Sequence, residues 1–324
     1  MVPLVRRMSN IHTRRKNPFL SICNGYANES SPSRLASPPP IQVGFTESAG
    51  RGVFANRRIG AGELIHTAKP IVSHPSLSSL HSACYFCLKK LQFKNQTEAS
   101  NVPFCSYECR EQSKIFYETE KQADWSAFHE YCRTQGLKYP LLVKRLACMI
   151  ISGASTPETF DILQPATLSS RMILLMEKEY QLLRSTFEDA GFTDEQIAFL
   201  TKQWYIDVLA RIRINSFRIE LALGSYEDIL LSAAASVDAE AAVGNAIYML
   251  PSFYNHDCDP NVHILWIESV NAKLKALRDI EAGEELRICY IDASMDHDAR
   301  QAILSEGFGF HCKCARSSRR TMLI

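Results

Sequence analysis

Tyr254-Asn255-His256-Asp257-Cys258-Asp259-Pro260-Asn261 is followed about thirty residues later by Gly283-Glu284-Glu285-Leu286-Arg287-Ile288-Cys289-Tyr290. Gly50-Arg51-Gly52 lies upstream of both segments, and Phe310-His311-Cys312-Lys313-Cys314 lies downstream. Read singly, each has an ordinary explanation: a glycine at a turn, a strand tyrosine with a satisfied hydroxyl, or an aromatic ring in a core. Their order and spacing make coincidence a poor explanation of the whole set.

The chain around them has 324 residues, enough for one elaborated domain or two ordinary ones. A hydrophobic content of 46% with 22% charged residues fits a globular protein, and no apolar run reaches the roughly 18 residues of a membrane span. The net charge of +1 hides an asymmetry. Residues 1–40 carry six basic side chains against one acid, Glu29, whereas the other 30 basic and 34 acidic residues leave the rest slightly negative. An acid-poor, Ser- and Asn-rich leader ending in Ser37-Pro38-Pro39-Pro40 reads as a transit peptide for a mitochondrion or plastid followed by a linker. The competing reading is a basic tail or nuclear signal. Either way this segment is set apart from the fold.

Short apolar runs with glycine turns over residues 41–75 read as small antiparallel strands. A cysteine-rich insert over 81–132 has a helical second half from Ser106 to Tyr117. Helices are expected at Arg171 to Arg184 and after Thr193-Asp194-Glu195-Gln196, which matches a capping box. Strand patterns return in Val262-His263-Ile264-Leu265-Trp266, in Leu274-Lys275-Ala276-Leu277, and in Leu286 to Tyr290. The expected class is α+β, with small sheets, a metal-binding insert and a helical insert. Its segments are 41–80, 81–132, 133–240, 241–292 and a tail, 293–324.

Eleven cysteines without a secretory leader argue against a disulfide framework, and their clustering points to metal. Cys84, Cys87, Cys105 and Cys109 supply four thiolates, the number of a closed tetrahedral zinc site. Cys258, Cys312 and Cys314 make a second group.

These motifs resemble those of SET-domain lysine methyltransferases, in particular the split-SET type with a MYND-like zinc insert found among plant trithorax-related proteins. The resemblance spans residues 41–317. It implies S-adenosylmethionine as cosubstrate, with Gly50, Arg51 and Gly52 cradling its methionine end. It further implies Asn255, His256 and Asn215 as contacts, Phe310 against the adenine, and Tyr290 as the catalytic residue also facing the cofactor. The middle cysteine pair of a full MYND finger is absent, so the insert is expected to hold one zinc, with His129 and Cys132 outside it. Cys258, Cys312 and Cys314 match three of four ligands of the family's tail zinc, while Ser317 occupies the fourth place. A serine hydroxyl is a poor zinc ligand, so this site is expected to be weak, or completed by water or His311. Asp257 stands where the family often has serine.

The implied function is protein-lysine methylation, with histones the family's default substrate. Alternatives are an organellar protein substrate and a catalytically weak SET/zinc interaction module. The implied partner is a lysine-bearing protein, with neither membrane association nor sequence-specific nucleic-acid binding expected.

Overall fold

A computed structural model describes residues 38–46, 49–91, 102–222 and 242–318. The leader reading falls on residues 1–40, of which 1–37 lie outside the described residues. The described residues from Pro39 onward form one compact unit built on three small sheets.

The first sheet has four strands in the order β1 (Ile41–Thr46), β2 (Gly50–Ala55), β10 (Glu285–Ile288) and β7 (Asn255–His256). β10 runs antiparallel to β2, with Glu285 opposite Phe54, and parallel to β7, with Arg287 opposite Asn255 and Ile288 opposite His256. Alternation sends Val53, Ala55, Leu286 and Ile288 into the core, and this burial fixes the register. β3 (Leu64–Ala68), β9 (Ala272–Ala276) and β8 (Val262–Leu265) form the second sheet. β4 (Val72–Pro75), β6 (Ala242–Ile247) and β5 (Ser216–Glu220) form the third.

Among the described residues, five α-helices lie between β4 and β5: α1 (Tyr107–Glu120), α2 (Ser126–Thr134), α3 (Tyr139–Ile151), α4 (Ser170–Asp189) and α5 (Lys202–Asn215). Ser106 caps α1 by accepting from the Cys109 amide at 3.1 Å. The capping box at Thr193 forms its reciprocal bonds with Gln196, but turns follow it rather than a helix. The next helix, α5, starts at Lys202 behind its own cap, Thr201, so the expectation of a helix after Gln196 is corrected.

α3 packs on α1, α5 and β4 and is buried nearly all round. Two of its buried residues are charged. Arg145 donates to the Ser73 and Tyr85 carbonyls at 2.6 and 3.0 Å, and its Nε reaches Glu120 at 3.2 Å. Lys144 lies 3.6 Å from the same carboxylate. Burial would raise the Glu120 pKa, but the two cations outweigh it and hold the carboxylate ionised. This buried triad ties the cysteine-rich insert, the helices and β4 together.

Candidate active site

The four-stranded sheet gathers three motifs that are far apart in sequence. Gly52 on β2, Asn255 on β7 and Glu285 on β10 meet side by side: a Cβ on Gly52 would lie 2.9 Å from Glu285 Oε1 and 3.2 Å from Asn255 Nδ2. A side chain at position 52 would have to displace the Glu285 carboxylate and press on the Asn255 amide. The Asn255 amide donates to the Arg51 carbonyl at 3.0 Å and to Glu285 at 2.7 Å. Both partners accept, which fixes the amide orientation. Among the described residues no donor reaches Asn255 Oδ1, so this oxygen is available to a ligand cation.

Glu285 also pairs with Arg287, whose other end lies 3.4 Å from Asp257. The extra acid at position 257 is thus balanced by Arg287, and it borders an open polar cleft of about 260 Å³ shared with Glu284 and Arg278.

Tyr290 lies two residues beyond the end of β10, correcting the expectation that the strand runs through it. Its amide leaves the ladder and donates to His256 Nδ1 at 3.1 Å, and its hydroxyl donates to the Tyr254 carbonyl at 2.6 Å. Burial, reinforced by the Glu285 charge, pushes the Tyr290 pKa well up, so the phenol stays neutral. Tyr254 is fully buried and hydrogen-bonded to His66 Nε2 at 2.9 Å, and burial lowers the His66 pKa to about 4. His256 is also lowered, to about 4, by burial more than nearby Asp257 raises it.

Phe308 and Phe310 close the aromatic wall, with ring centroids 5.1 and 6.4 Å from that of Tyr290. Phe310 remains 36% exposed, a flat apolar surface open to a ligand ring. Behind it, Cys258 Sγ lies 3.8 Å from Cys312 Sγ, 3.4 Å from Ser317 Oγ and 3.3 Å from His256 Nε2. His256, Cys258 and Cys312 have ligand atoms within 4.8 Å of one another. Cys314 stands beside them, its amide 3.5 Å from Cys312 Sγ, while His311 is exposed.

Arg51 and Asn215 converge on one loop of the helical insert. The Arg51 guanidinium donates to the Ile162 carbonyl and lies over the Phe253 ring at 5.2 Å. The Asn215 amide donates to the Gln164 and Arg211 carbonyls at 2.9 and 2.7 Å. Asn215 therefore holds the insert beside Arg51 and makes no hydrogen bond to Asn255, His256 or Tyr290.

In the insert, Cys84, Cys87, Cys105 and Cys109 have sulfurs within 4.8 Å of one another, a set that could hold a metal ion. Leu88 takes φ +60° in the tight turn after Cys87, an uncommon conformation for a branched residue. His129 faces Lys144 and Cys132 is buried on α2, both outside the set.

Glu285, Tyr254 and His66 escaped the sequence reading. The first two sit inside the quoted motifs, and the two-residue period of β10 puts Glu285 and Arg287 on one face, a signal that was legible. Nothing local marks His66.

The SET-domain family model matches residues 50–291. The histone-lysine N-methyltransferase ATXR4 of Arabidopsis thaliana is 63% identical over 280 residues, which is 86% of each chain. A SET and MYND domain-containing protein of Dictyostelium discoideum is 26% identical over 277 residues, 81% of this chain and 78% of its own. Among solved structures, the SET domain of LSMT bound to lysine and AdoHcy aligns with a TM-score of 0.31 at 11% identity, over 86% of this chain and 54% of that one.

Proposed function

The chain belongs to the SET-domain family, and on that footing we propose that it is a protein-lysine N-methyltransferase using S-adenosylmethionine, with histone lysine as substrate. The observation that carries this reading is the meeting of Gly52 and Asn255 on one sheet, with Tyr290 held just beyond β10 by His256 and Asn255 Oδ1 unpartnered among the described residues. When bound, S-adenosylmethionine supplies an electrophilic sulfonium methyl. The donor set fits its parts: Asn255 Oδ1 for the ammonium, the glycine-lined β2 backbone for the methionine end, and the Phe310 ring for the adenine.

The chain's own residues then act by placement. A lysine amine has a pKa of about 10.4, so only roughly one in a thousand is neutral near pH 7.4. Tyr290 is held neutral, so it is a poor base; its hydroxyl, fixed on the Tyr254 carbonyl, offers a lone pair that orients the amine. The Phe308 and Phe310 rings set an apolar wall beside Tyr290, and Tyr254 and His66, next along its chain of hydrogen bonds, are both neutral.

Zinc fits the four-thiolate set of the insert. The Cys258, Cys312 and Cys314 group, with Ser317 in the fourth place, fits a weaker second ion. The charge asymmetry of residues 1–40 supports a second substrate reading, an organellar protein. Fusing residues 1–45 to a fluorescent protein separates the two: organellar fluorescence favours the organellar substrate, nuclear fluorescence the histone.

Transfer of tritiated methyl from S-adenosylmethionine by the full chain to histones and to organellar lysate tests the function itself. Label on a lysine is the expected result. No transfer to either, with partner capture through the insert intact, would favour the interaction module.

A further inference from the structure

His256 sits between two sites, the thiol cluster of the tail and the tyrosine at the reacting centre. The chain bends just after β7 and brings the Cys258 side chain back against the His256 ring. The imidazole bridges the gap: Nδ1 accepts from the Tyr290 amide at 3.1 Å, and Nε2 lies 3.3 Å from Cys258 Sγ. Its ring is 5.2 Å from Tyr290 and 5.9 Å from Phe310 between centroids.

The Tyr290 contact decides the tautomer. An amide N–H only donates, so Nδ1 carries no proton, and in a neutral ring the proton sits on Nε2. Nε2 is therefore a donor aimed at the sulfur. For Nε2 to be a metal ligand instead, the ring would need both nitrogens bare, an imidazolate. N–H groups that donate to ligating sulfurs hold those ligands in place and tune the metal.

We infer that His256 is a positioning residue that couples the Cys258 sulfur to Tyr290: its Nε2–H binds the sulfur while its Nδ1 anchors the Tyr290 amide. Tyr290 is pinned at both ends, by His256 at its amide and by Tyr254 at its hydroxyl. A metal ion held by Cys258, Cys312 and Cys314 would fix the sulfur that accepts from Nε2–H, and through the ring would act on the Tyr290 amide. The role of Tyr290 in methyl transfer rests on the function proposed above, whereas the coupling itself does not.

The test uses the full chain, labelled with nitrogen-15 on histidine and on the backbone, with and without saturating zinc. The expected spectrum has His256 protonated at Nε2 and bare at Nδ1 in both states. Zinc should shift the Tyr290 amide, and Cys258→Ser should abolish that shift. A metal-bound Nε2, a proton on Nδ1, or a Tyr290 amide indifferent to zinc would each overturn the coupling.

Two variants separate the nitrogens. His256→Asn keeps an acceptor where Nδ1 lies and loses the donor, so zinc affinity at this site should fall about 10–100-fold with the Tyr290 amide little moved. His256→Gln keeps a donor where Nε2 lies and loses the acceptor, so zinc should be better retained, the Tyr290 amide should shift, and kcat should fall more than the KM for S-adenosylmethionine rises. Equal effects of both variants on zinc and on Tyr290 would make His256 a structural residue only. The spectra and zinc titrations require no turnover, so a protein that transfers no methyl group still tests the coupling.

Discussion

The hydroxyl of Tyr290 donates to the backbone carbonyl of Tyr254 at 2.6 Å. This bond joins the last residue of one motif to the first residue of the other. The return contact, from the Tyr290 amide to His256, closes a loop between the two motifs. The tyrosine is thus fixed by its sequence partners before any ligand arrives, an arrangement suited to catalysis by positioning.

Gly52→Ala tests the cofactor end. The added methyl would press on Glu285 and Asn255, displacing the amide that leaves Oδ1 open. Affinity for S-adenosylmethionine by calorimetry should fall about tenfold, equivalent to ~1.4 kcal/mol, with little change in the unfolding midpoint. Unchanged affinity would mean that this amide does not meet the ligand.

Removing charge from the buried triad should cost stability. Glu120→Gln leaves Arg145 and Lys144 buried with no balancing anion. Breaking such a group typically costs about 3–5 kcal/mol. Urea unfolding should show the midpoint fall accordingly, and a loss below about 1 kcal/mol would show that water or relaxation compensates.

His66 makes stability depend on pH. Its folded pKa of about 4 lies below the ordinary histidine value of about 6.5, so the unfolded chain binds the extra proton first. The stabilisation is complete above pH 6.5 and is lost as pH falls through 4. His74 and His263 are shifted in the same direction by burial, so the informative quantity is a difference. His66→Asn should flatten the stability curve between pH 6.5 and 4 relative to the parent. Parallel curves would place His66 in a solvated setting.

The thiolate set of the insert should hold one zinc tightly and the tail set a second one weakly. Elemental analysis after dialysis should give close to one zinc per chain, rising towards two in Ser317→Cys and falling towards none in Cys105→Ser. Two tightly held zincs in the parent would show that Ser317 or another group completes the tail site.

The residues of the candidate site were legible where rare residue types recur at fixed spacings. Asn255, His256 and Tyr290 stood out that way, as did the four insert cysteines, which the fold brings within 4.8 Å. Pairing between distant strands was not legible: the two-residue parallel contact of β7 with β10 is too short to leave a periodic signal. The hydrogen bonds of Asn215 were not legible for a related reason, since its partner Gln164 lies 51 residues away in a segment without a motif. The capping box at Thr193 shows the opposite failure. Its local hydrogen bonds form as read, yet no helix follows, because local caps do not by themselves stabilise a helix.

The most direct measurement is the rate of methyl transfer by Tyr290→Phe alongside its calorimetric affinity for S-adenosylmethionine. The substitution removes only the hydroxyl that Tyr254 holds, and loss of one preorganised polar group at a reacting centre costs about 10²–10³ in rate. The account expects a loss of that order with cofactor affinity within about threefold of the parent. Methyl transfer at the parental rate, or cofactor affinity collapsing together with activity, would contradict it.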